Sequence, residues 1–180
     1  MSFFNRRGIV CAMKPQQKLL IAAFALLSFS VSALAQDGGA VLAGAELTRV
    51  VPAAFYFQGQ SAPTQMRNSV AVRFGKDRFV IAGMVDTAGY SAEVRARYQG
   101  FFITDSSITV GGETLSTGAY GFGFTNDGKL NILDLAGNQV LSVSTTNDKA
   151  LKRPRPLMMA MDGSDVRLYA GRDYVVIAAK

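Results

Sequence analysis

Ala119-Tyr120-Gly121-Phe122-Gly123-Phe124 alternates strictly between large and small side chains. Alternation of this kind marks a β-strand, whose successive side chains point to opposite faces. Tyr120, Phe122 and Phe124 therefore share one face, and Ala119, Gly121 and Gly123 the other. Asn126-Asp127-Gly128 follows at once. These residues accept positive φ at low cost, so the strand is predicted to turn there. Residues 129–135, a second turn at Ala136-Gly137-Asn138, and residues 139–146 complete a three-strand antiparallel meander. In its last strand Leu141 and Val143 alternate with Ser142 and Ser144, giving one buried and one solvated face.

Outward from the meander, short apolar or alternating runs are divided by turn signals roughly every 8–12 residues, the spacing of a sandwich or barrel. Upstream they are 47–51 (closed by Pro52), 54–58, 69–74 (ending at Gly75-Lys76-Asp77), 78–86, 101–104 and 107–110. Downstream they are 157–161, 166–170 and 174–178. The run 78–86 is apolar on both faces through Phe79, Val80, Ile81, Ala82, Met84 and Val85, and so predicts a central strand covered on both sides. Only Ser91-Ala92-Glu93-Val94-Arg95-Ala96-Arg97-Tyr98 argues for helix. It has a serine N-cap, a glutamate in its first turn, arginines at its end, and Gly100 beyond. Residues 36–45, small and glycine-rich, are expected to be a flexible lead-in. The pattern predicts one all-β domain over 46–180: an antiparallel β-sandwich or flattened barrel of about eight to ten strands, with at most one short helix near 91–98.

The stretch Ile108-Thr109-Val110-Gly111-Gly112-Glu113-Thr114-Leu115-Ser116-Thr117-Gly118-Ala119-Tyr120 reads as strand, Gly-Gly, two residues, Leu, two residues, Gly, any residue, Tyr. It resembles a hairpin in uncharacterised secreted bacterial β-sandwich proteins. The resemblance covers this hairpin, implies the sandwich fold, and brings no catalytic residues. Its physics is plain: Gly111-Gly112 turn the chain, Leu115 plugs the core, and Gly118 lets the chain re-enter a sheet.

The N-terminus reads as an address. Arg6, Arg7, Lys14 and Lys18 precede the apolar run Leu19-Leu20-Ile21-Ala22-Ala23-Phe24-Ala25-Leu26-Leu27. Ser32-Ala33-Leu34-Ala35 then supplies the small residues that signal peptidase requires. Residues 1–35 are expected to be a signal peptide cleaved between Ala35 and Gln36, with Met13 an alternative start. The apolar run falls well short of the roughly 20 residues that span a bilayer. The mature chain is accordingly expected to be periplasmic or extracellular, without a transmembrane anchor. The predicted signal holds four of the 19 Lys+Arg and none of the 13 Asp+Glu, leaving 15 against 13, or +2. A balance so near neutrality gives no basic face for phosphates, so nucleic acid is not an expected partner.

Histidine is absent and Cys11 is the sole cysteine. Histidine general bases, Ser-His and Cys-His nucleophiles, His/Cys zinc sites and an intrachain disulfide are thereby excluded. Val85-Asp86-Thr87-Ala88-Gly89 and Leu133-Asp134-Leu135-Ala136-Gly137 superficially suggest an aspartic-protease pair. However, alanine stands where glycine should follow the hydroxyl residue, and Leu135 replaces the second hydroxyl. Asp162-Gly163-Ser164-Asp165 offers too few oxygens for Ca²⁺ and reads as a hairpin turn. No metal, cofactor or catalytic residue is expected.

Two features carry functional weight. Phe55-Tyr56-Phe57-Gln58-Gly59-Gln60-Ser61-Ala62-Pro63-Thr64-Gln65-Met66-Arg67-Asn68 crowds amides, an arginine and aromatics into what reads as a loop. Tyr56, Gln58, Gln60, Gln65, Arg67 and Asn68 are the predicted ligand-binding residues, with Tyr56 a stacking surface and Arg67 a planar fork for a carboxylate or phosphate. The competing expectation is that Gln65, Arg67 and Asn68 fold inward and tie the segment to neighbouring strands. The second feature is Lys149, Lys152, Arg153 and Arg155, interleaved with Pro154 and Pro156, on an exposed connection. The sequence thus predicts a non-enzymatic domain that binds a polar small molecule, a peptide or an envelope component. The rival is a secreted hydrolase using a carboxylate pair.

Overall fold

The computed structural model describes residues 39–180. In chain order the elements begin with β1 (Ala40–Val41), α1 (Gly44–Val50), β2 (Ala54–Phe57), β3 (Gln60–Phe74), β4 (Arg78–Val85) and α2 (Ala92–Arg97). There follow β5 (Gly100–Thr104), β6 (Ile108–Val110), β7 (Glu113–Leu115), β8 (Gly118–Thr125), β9 (Lys129–Leu133) and β10 (Gln139–Ser144). β11 (Thr146–Asn147), β12 (Arg155–Asp162), β13 (Asp165–Gly171) and β14 (Asp173–Ala179) end the chain. Ten of these strands run for four residues or more.

Two antiparallel sheets result. The larger has the order β1-β3-β4-β5-β8-β9-β10, with β2 also paired to β3. The smaller has the order β12-β13-β14-β6-β7, with β11 beside β14. The protein is an all-β, sandwich-like fold, as the alternation predicts. The meander is β8-β9-β10, in which Phe122 faces Ile132 and Phe124 faces Leu130. Gly111 and Gly112 sit at φ 58° and 89°, so a two-residue turn joins β6 to β7 and leaves Leu115 only 1% exposed.

The main core lies between the sheets. Val72, Val80, Phe102, Phe122 and Ile132 from the larger sheet meet Ile108, Val110, Val166, Leu168 and Ile177 from the smaller. Tyr120 and Phe124 flank Phe122 half-buried, as expected of a shared face. A second core covers the other face of the larger sheet. There Ala71, Ile81, Phe101 and Leu133 are capped by Leu42, Phe55, Phe57, Tyr90 and Tyr98. β4 is therefore buried on both sides, with Val80 and Ala82 in one core and Ile81 and Val85 in the other.

The small-residue face of β8 explains how this second layer approaches. A Cβ at Gly121 would lie 2.6 Å from the Phe57 ring, and one at Gly123 would collide with the Arg97 carbonyl. The glycines let Phe57 and Tyr98, stacked at 3.9 Å between ring centroids, lie directly on the sheet. Gly100 serves similarly. It does not cap α2, whose C-cap is Tyr98, but opens β5 where a Cβ would strike the Gly83 backbone.

Three expectations are corrected. Residues 47–51, read as a strand, belong largely to a second helix, α1, which exceeds the expected maximum of one. Leu47 and Val50, three apart, pack one helical face against the second core, while Glu46 and Arg49 suit the two ends of the helix dipole. The segment 36–45 is not wholly a lead-in: Ala40 and Val41 pair with Arg73 and Val72, and Leu42 is buried. Residues 58–68, read as a loop, are a tight Gln58-Gly59 turn followed by more than the first half of β3. Among the described residues no helix is long and apolar enough to cross a membrane. The predicted signal peptide and its cleavage site lie outside the described residues.

Candidate functional site

The register of β3 against β4 skips at the middle of the strand. Thr64 pairs with Val85 and Ser69 with Gly83, so residues 65–68 form a bulge in β3. Side chains within the bulge hold it. Gln65 Nε2 donates to the Val85 carbonyl at 3.1 Å, Asn68 Nδ2 donates to Gln65 Oε1 at 2.8 Å, and Ser69 Oγ donates to the Gln65 carbonyl at 3.1 Å. Bulges re-aim side chains beside functional sites. This one places Met66 and Arg67 on the wall of a cleft of about 320 Å³.

The cleft forms where β12, the edge strand of the smaller sheet, packs across β3 and β1 of the larger. β12 is preceded by Pro154 and contains Pro156, which lacks the amide proton needed to pair a further strand. Leu157 and Met159 of β12, Leu42, and Leu47 of α1 supply an apolar lining. Arg155 enters at the start of β12 and Arg67 from the bulge, so the two sequence features meet in one place. Among the described residues no carboxylate lines the cleft. Neither guanidinium forms an ion pair or hydrogen bond with another described side chain, whereas Arg167 is paired with Asp162 at 2.8 Å.

The six predicted residues thus divide. Arg67 lines the cleft. Gln65, exposed, and Asn68, half-buried, build the bulge, and Gln65 ties it to β4 as the competing expectation held, while neither folds inward and Arg67 takes no part. Gln58, at φ 46°, donates from Nε2 to the Ala136 carbonyl at 3.0 Å and clamps the β2–β3 turn onto the β9–β10 turn. Gln60 Nε2 donates to the Gly89 carbonyl at 3.3 Å. Tyr56 is 57% exposed on the solvent face of β2 and is not part of the cleft lining. Arg155 and Met66 had weak sequence signals: one stood in a basic, proline-bearing connection, the other inside the amide-rich segment. Lys149, Lys152 and Arg153 are exposed but lie outside the cleft lining.

The carboxylates of the superficial protease motif serve turns. Asp86 Oδ1 accepts from the Ala88 amide at 3.0 Å. Asp134 accepts from the Asn138 amide and Nδ2 at 2.8 and 2.9 Å. The bond from the Asn138 side chain, aided by its amide, holds the Asp134 carboxyl below the usual carboxylate range. Neither aspartate lines the cleft, nor a smaller one of about 140 Å³ beside Glu46, Arg49 and Arg73. Among the described residues no three His, Cys, Asp or Glu side chains are grouped to hold a metal. Compared with protein-family models, curated proteins and solved structures, the chain matches none.

Proposed function

We propose that this is a non-enzymatic binding domain, exported to the periplasm or the cell exterior, whose ligand carries an anionic group held by Arg67 and Arg155. One observation carries the reading: two guanidiniums without a side-chain partner among the described residues line one cleft whose described lining holds no carboxylate. An arginine left without an internal partner beside apolar surface supplies a planar fork matched to carboxylate or phosphate oxygens. Export is supported by the basic stretch, apolar run and Ala33-x-Ala35 of the sequence, and the resemblance of residues 108–120 to secreted sandwich proteins agrees with it.

Titration with inorganic phosphate, followed by two-dimensional NMR, tests the site. Amide shifts should move around Arg67 and Arg155, and Arg67→Ala or Arg155→Ala should each abolish the movement. Shifts confined to Lys149, Lys152 and Arg153 would instead describe a solvated basic loop and contradict the reading.

A further inference from the structure

We infer that the ligand of this cleft is a single-chain amphiphile with a carboxylate head, a medium-chain fatty acid. The inference rests on the anion-binding reading above and adds the chemistry of the rest of the ligand. Among the described residues, the only polar side chain in the lining apart from the two arginines is Ser69, and its hydroxyl is already given to the Gln65 carbonyl. The cleft therefore has few side-chain partners for the hydroxyls of a sugar or the amides of a polar peptide. A ligand that depended on side-chain hydrogen bonds would find few of them there beyond the two arginines.

The side chains the cleft offers beyond the arginines are mostly hydrocarbon and thioether, among them Leu42, Leu47, Met66, Leu157 and Met159. Methionine is unbranched and polarisable, and it adapts to flexible apolar ligands. The volume sets the tail. One water takes about 30 Å³ and a methylene is of similar size, so about 320 Å³ holds about ten such groups. That matches one chain of about eight to ten carbons. Met66 is 37% exposed and Arg67 is exposed, so the charged head sits near solvent while the tail runs over the apolar wall.

Calorimetric titration with decanoate below its micellar concentration tests this, with acetate, decanol and decyltrimethylammonium as comparisons. Decanoate should bind at least tenfold more tightly than each of the three. Arg67→Ala and Arg155→Ala should each weaken decanoate binding about tenfold, the scale of one charge-assisted contact. Met66→Glu, at an exposed position, should abolish it while Met66→Leu preserves it. Decanoate binding no tighter than acetate, with both dependent on Arg67, would overturn the amphiphile and leave an anion site. Equal binding of decyltrimethylammonium would also overturn it. Decanoate binding unchanged by both arginine substitutions would overturn the anion-binding reading itself.

Discussion

Tyr98 is fully buried, yet its hydroxyl has no hydrogen-bond partner among the described residues. Its ring is fixed by the Phe57 stack and by Tyr90, set edge-on at 5.3 Å. The Tyr90 hydroxyl sits 3.2 Å from the Phe57 and Gln60 carbonyls and can give its proton to either. Removing an unsatisfied buried hydroxyl relieves a desolvation cost, so Tyr98→Phe should stabilise the protein by about 1 kcal/mol in denaturant unfolding. Burial, with Tyr90 adding to it, pushes the Tyr98 phenol well above the usual tyrosine range. Above about pH 10 the unfolded chain releases a proton that the folded one keeps, so stability falls as pH rises from there. Tyr98→Phe should therefore flatten the alkaline limb of the stability profile; an unaltered limb would show that Tyr98 is not its source. Phe122, 1% exposed in the main core, is the opposite case: Phe122→Ala should cost about 3–5 kcal/mol.

The bulge in β3 separates building residues from presenting ones. Gln65→Ala removes the bonds to Val85 and Asn68 and should lower stability by about 1 kcal/mol. Arg67→Ala, exposed and unpaired, should leave it within about 0.5 kcal/mol of the native value. Equal losses in a thermal melt would mean that Arg67 also builds the strand. Strict alternation made β8 legible, and the doubly apolar run made β4 legible as a two-faced strand. The bulge was not legible, because the hydrogen bond that ties it to β4 joins residues 65 and 85, and amides in sequence look alike whether they brace a strand or await a ligand. α1 escaped for a related reason: its two anchoring side chains, Leu47 and Val50, fit a short strand as well as a short helix until the second core is seen. The glycines of β8 were legible as a small face but not as the seat of Phe57 and Tyr98. Gly121→Ala should cost about 1–3 kcal/mol by overpacking against the Phe57 ring.

At the scale of the whole molecule, the cleft joins segments far apart in sequence because the edges of two sheets meet there. Residues 41–47 arrive through β1 and α1, residues 66–70 through the bulge, and residues 155–159 through β12. Such an arrangement places the proposed ligand contacts on strands held by the main core, a rigid support of the kind a preformed site needs. Edge segments of this kind, with few ladder bonds on their outer side, exchange their amide hydrogens readily and register the arrival of a ligand as protection. The most direct test of the account is amide hydrogen exchange read by mass spectrometry with and without decanoate. Protection is expected to rise together in residues 41–47, 66–70 and 155–159 and to stay unchanged at the Gln58-Gly59 turn and residues 134–138. Protection at those turns, with none in the three cleft segments, would contradict it.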